Sequence, residues 1–117
     1  MRKLILLFSF AFFCSCSSGL KLQFKNGSDE NFEKVTAQIG KNKYVFENLK
    51  SRKKTKTIKL DGSYPYCPVT IITEKDTLKL IPDDYVGEKY YKSGKLKMIL
   101  MVIERNNKRA IDIIAQK

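Results

Sequence analysis

In the stretch LKLQFK, Leu20, Leu22 and Phe24 alternate with Lys21, Gln23 and Lys25. A period of two with one apolar side predicts a half-buried strand. The same alternation recurs along the chain. VTAQI sets Val35, Ala37 and Ile39 on one side, and KYVFENL runs back after Gly40–Asn42, a short hairpin connection. KTKTIKL ends with Ile58 and Leu60 together. CPVTIIT and TLKLI flank Glu74–Asp76, and KLKMILMVI and RAIDIIA flank Asn106–Asn107. Turn-rich segments at 26–31 and 61–66, and Pro82 with the two acids after it, punctuate the strands. SDENFEKV could close one helical turn, but Phe32 and Val35 alone do not make a helix. Met98–Ile103 breaks the alternation by being apolar on both sides. A strand covered on both faces explains it, by a loop or by a partner; a buried helix over 97–105 is the other way to read the run.

Seven or eight short strands with turn signals every eight to twelve residues predict an all-β fold, a small antiparallel β-sandwich of immunoglobulin-like kind over residues 20–117. The Cys–Trp–Cys mark of true immunoglobulin domains is absent, because the chain has no Trp. A body of about a hundred residues buries roughly 60–65% of its unfolded surface, enough for one independent core.

Ahead of that body stands a different pattern. Arg2 and Lys3 form a charged head, and Leu4–Phe13 is an apolar run interrupted only by Ser9. About 20 apolar residues are needed to span a bilayer as a helix. The run is too short for that and has the length of the hydrophobic region of a secretory signal peptide. Small residues follow, with Cys16 preceded by Ser15 and followed by Ser17, Ser18 and Gly19. This leader resembles that of bacterial membrane lipoproteins, and the body loosely resembles the small β-sandwich modules of envelope lipoproteins. The leader's likeness implies removal of residues 1–15, acylation of Cys16 with diacylglycerol and a further chain such as palmitate, and a tether over 16–19. Cys14 is the other thiol in reach, but bulky Phe13 precedes it. Cleavage by an ordinary signal peptidase near Ser18 is the rival outcome. Ser17 stands where Asp often marks inner-membrane retention, so the resemblance implies the outer membrane in a Gram-negative host.

Charge adds to this picture. The chain carries 23 Lys and Arg against 12 Asp and Glu, a net +11; Arg2 and Lys3 supply two of these, leaving about +9 for the rest. Most of the excess is Lys, which suits diffuse attraction to anionic surfaces better than bidentate readout. The densest run is Lys50, Arg52, Lys53, Lys54, Lys56 and Lys59. As an edge strand such a run blocks aggregation; as a contact surface it would face anionic lipid, an envelope glycan or an acidic protein. Nucleic acid is disfavoured by the export signal and by sparse aromatic interleaving. Tyr64, Tyr66, Tyr90 and Tyr91 are candidate contact-loop residues, since Tyr serves well at interfaces; capping of the core is the alternative.

No catalytic set emerges. The absence of His removes the commonest general base and metal ligand. A Ser–Lys pair remains formally open at Ser28, Ser51, Ser63 or Ser93; Ser93, with Lys95 near, lies in a stretch that reads as a polar turn. Asp83, Asp84 and Glu88 lack a calcium-loop spacing. GEKYYKSGKL fails as a phosphate loop on the Gly spacing and on Leu96, which stands where a hydroxyl should be. With Cys16 acylated and Cys14 removed, Cys67 is a lone thiol expected in the core. The sequence therefore predicts a non-enzymatic envelope lipoprotein acting as a binding or assembly module, with no cofactor and no metal. The alternative is a secreted or anchored small enzyme or enzyme inhibitor.

Overall fold

The computed structural model describes residues 19–83 and 87–117. Cys16 and the leader lie outside the described residues. The described chain is all-β, in the order β1 (Leu20–Asn26), β2 (Phe32–Ile39), β3 (Asn42–Leu49), β4 (Ile58–Leu60), β5 (Val69–Ile72), β6 (Thr77–Leu80), β7 (Gly94–Arg105) and β8 (Lys108–Gln116). They form two four-stranded sheets, β4-β1-β7-β8 and β3-β2-β5-β6.

Inward residues of both sheets share one core. Leu20, Leu22 and Phe24 of β1 meet Leu96, Met98 and Leu100 of β7 in the first sheet; Phe32, Val35, Val69 and Ile71 come from the second. Phe24 and Phe46 join the sheets with ring centroids 5.6 Å apart. Cys67 is 3% exposed, its Sγ lies 4.0 Å from Met98 Sδ, and burial pushes its thiol pKa up to about 12.

One pairing departs from the antiparallel expectation: β1 and β7 run parallel, in register from Leu20 opposite Gly94 to Asn26 opposite Leu100. Parallel neighbours need a long connection, and the intervening strands supply it. The first sheet is therefore mixed. Strand β2 starts at Phe32, three residues before the Val35 alternation that predicts it. Phe32 and Val35 are three apart yet both fully buried, which defeats a strict period of two; between the Phe32–Leu49 and Lys34–Glu47 pairs, Asn48 of β3 has φ 55, an irregular backbone at this point. The run Met98–Ile103 is strand, not helix, in the centre of its sheet. Met98 and Leu100 point inward, and Ile99 and Met101 point outward, half-buried against Gly27, where a side chain would overlap both.

The hairpins follow their turn chemistry. Gly40 has φ 63 at the first position of the two-residue β2–β3 loop. Asn106 and Asn107, at φ 55 and 64, give the β7–β8 hairpin two positive φ values, as a type I′ turn requires.

Candidate functional site

The register of the first sheet assembles a lysine face that no single stretch of sequence contains. Outward positions of β1 are Lys21, Gln23 and Lys25; those of β7 are Lys95, Lys97 and Ile99. In the ladder Lys21 stands opposite both Lys59 of β4 and Lys95 of β7. Lys97 lies between Gln23 and Gln116. Lys25 bridges Lys54 on one side and faces Ile99 on the other. Like charges directly opposite across a ladder repel. The amine of Lys97 is accordingly held below the ordinary lysine range, first by the charge of Lys54, then by desolvation, a hydrogen bond with Lys54 and the charge of Lys25. Among the described residues no carboxylate forms an ion pair with these six lysines. A shallow groove of about 310 Å³ runs through the face, lined by Lys21, Gln23, Lys54, Thr57, Lys95 and Lys97 among others.

The basic run 50–59 is thus divided. Lys54 and Lys59 join the face. Arg52 turns away: its guanidinium donates to Gly27 O at 2.7 Å and to Asp29 at 2.6 Å. Lys50 and Lys53 close a turn, Lys53 N donating to Lys50 O, and Lys50, Lys53 and Lys56 are exposed. The segment follows β1 without becoming a regular strand, because the Thr55 hydroxyl takes the Phe24 N–H, at 3.1 Å, where a ladder carbonyl would stand. Sequence reading missed Lys21, Lys25, Lys95 and Lys97. Their signal was the shared parity of lysines in LKLQFK and KLKMIL.

The tyrosines lie at the Leu20 end. Tyr64 and Tyr90 pack edge to face at 4.9 Å, and they line an open groove of about 770 Å³ with Tyr44, Tyr66, Leu60 and Asp61. Tyr91 is half-buried, its backbone exchanging two 2.8 Å hydrogen bonds with Ser63, with Lys89 and Lys117 amines 5.3 and 5.1 Å from its ring centre. Ser93 is exposed just before Gly94, where φ is 86, and the groove beside Lys95 is built from β1, β4-side and β8 residues. Asp83 and Glu88 are exposed, and Asp84 lies outside the described residues.

The opposite end is a hydrogen-bonded knot. Asn26, fully buried, donates to Glu30 O and Leu49 O and accepts from Ser28 N and Oγ. Arg109 of β8 holds Glu30 through two 2.8 Å bonds and Asp76 through bonds of 2.9 and 3.2 Å. It joins the first sheet to loops of the second. The guanidinium's hydrogen bonds lower the pKa of both carboxyls, and the two carboxylates raise that of Arg109 in turn.

The described residues contain no helix long and apolar enough to cross a membrane. No protein-family model and no curated protein matches the chain. Among solved structures, the chain is similar to a protein from Eubacterium rectale determined by NMR, with TM-score 0.56 and 12% identity over 83% of this chain and 89% of that one. At that identity the likeness concerns the fold alone.

Proposed function

We propose that the protein is a non-enzymatic lipoprotein of the bacterial envelope, a binding or assembly module anchored by acylated Cys16. The single observation that carries this reading is the leader: Arg2 and Lys3, the apolar run Leu4–Phe13, then Ser15 and Cys16. In this reading residues 1–15 are removed and 16–19 tether an immunoglobulin-like sandwich spanning 20–117. Strand β1 begins at Leu20, so the tether is short, about 10–15 Å. Two or three acyl chains hold such a body firmly, where one would anchor only marginally. The lysine face supplies attraction to anions, and the tyrosine groove a second contact surface. In a Gram-negative host the outer membrane is the proposed location.

Replacing Cys16 by Ala tests the anchor. The expected product is uncleaved or soluble and carries no acyl label. Unchanged membrane retention, or a mature terminus lacking Cys16 in the wild type, would contradict it.

A further inference from the structure

We infer that the outer face of the first sheet lies flat on an anionic phospholipid leaflet, with the headgroups meeting Lys21, Lys25, Lys54, Lys59, Lys95 and Lys97. The inference rests on the anchored reading and adds an orientation and a partner to it.

Position within the sheet separates this face from a solubility device. Lysines that guard against aggregation sit on edge strands. Lys21, Lys25, Lys95 and Lys97 sit on β1 and β7, the two central strands of β4-β1-β7-β8. They repel one another in the free protein, so a surface of opposite charge relieves a cost already present. Shape points the same way. With about 3.3 Å per residue and about 4.8 Å between strands, the six lysines spread over about 13 Å along the strands and about 10 Å across them. One small anion could not meet them together, whereas a leaflet presents many charges in a plane.

The tether agrees with the geometry. Lys21, Lys59 and Lys95 form the row beside Leu20, where the anchored segment joins the sheet. Further along the face the lysines give way to Ile99, Met101 and Ile103, with Ile114 48% exposed beside Ile99. An apolar margin next to cations suits the boundary between headgroups and acyl chains. Asp112, opposite Met101, places an acid on this face. The second sheet's outer face differs, pairing Lys34 with Glu47 and Thr36 with Val45.

The test uses the acylated chain, reconstituted in phosphatidylcholine vesicles with or without phosphatidylglycerol. A fluorescent label goes on Ile114→Cys or on Val45→Cys, which is exposed on the second sheet; buried Cys67 escapes labelling. Phosphatidylglycerol should shield the label at 114 from an aqueous quencher and leave that at 45 open. The triple variant K25Q/K54Q/K97Q should lose the shielding. At about 1 kcal/mol per lysine, the affinity of the unacylated triple variant for anionic vesicles should fall roughly 100-fold below that of the unacylated wild type at low salt. Equal exposure of both labels in anionic vesicles overturns the orientation. So does shielding of position 114 by a soluble polyanion but not by phosphatidylglycerol, which would place a glycan or acidic protein there. Mass spectrometry of the same sample reports separately on the anchor. If Cys16 carries no acyl chain, the anchored reading fails by itself, and phosphatidylglycerol-dependent sedimentation of the unacylated chain then upholds the face or, if absent, overturns it.

Discussion

Arg109 and Lys97 stand on neighbouring strands of one sheet, and their surroundings are opposite. Arg109 spends its guanidinium on two carboxylates, Glu30 and Asp76, with four hydrogen bonds of 2.8–3.2 Å. Lys97 looks out among Lys54 and Lys25, and their charges make its own protonation harder. The first cation ties the two sheets together. The second has no carboxylate partner among the described residues. A matched cation marks what holds the protein together, and the unmatched set is the face proposed to meet the anionic leaflet.

The largest effect is expected at the matched end. Arg109→Ala leaves two carboxylates facing each other without their partner, each about a quarter to a third exposed. A loss of about 2–4 kcal/mol is expected in denaturant unfolding. A loss under ~1 kcal/mol would reduce the clamp to an ordinary surface pair. Asn26→Ala, in the same knot, takes the side-chain partner from the Leu49 carbonyl and from the Ser28 N–H and should cost about 2–3 kcal/mol.

Acid should reveal the same asymmetry. Glu30 and Asp76 titrate lower in the folded chain than when unfolded. Their contribution is therefore complete above the unfolded carboxyl values, 4.5 for Glu and 3.8 for Asp, and is lost as pH falls through the lowered folded values. Unfolding curves below pH 4.5 should steepen for the wild type and flatten for Arg109→Ala; parallel curves would remove the pair from the acid response. Cys67 offers a quieter check. With its thiol pushed up to about 12, alkylation at neutral pH should wait for unfolding, and rapid labelling of the native chain would show that the core is open there.

The smallest expected effect is the most informative. Neutralising Lys25, Lys54 and Lys97 to Gln should leave stability unchanged or raise it by a few tenths of a kcal/mol, because it removes repulsion between like charges on a solvent-facing surface.

Much of this architecture is legible in the chain. Period-two alternation places β1, β3, β5 and β6 within two residues of their ends, and the Asn106–Asn107 turn announces itself by residue type. Phe32 was missed because its three-residue spacing from Val35 conflicts with the strand period, and the positive φ of Asn48 on the facing strand is not legible from alternation. The parallel β1–β7 pair was missed because local patterning says nothing about which distant strand becomes a neighbour. The lysine face was half legible for the same reason. A run such as 50–59 is visible in one dimension, but Lys21 and Lys95 come together only through register. That register also withdraws Arg52, whose backbone at φ 67 and bonds to Gly27 and Asp29 commit it to the turn.

Thermal unfolding of the wild type and K25Q/K54Q/K97Q, with and without phosphatidylglycerol vesicles, tests the division of labour most directly. A ligand that binds the folded state raises its melting point. The account predicts that the variant melts at or above the wild type in buffer, and that anionic vesicles raise the wild type alone. A variant that melts lower in buffer, or vesicles that raise both proteins equally, would contradict it.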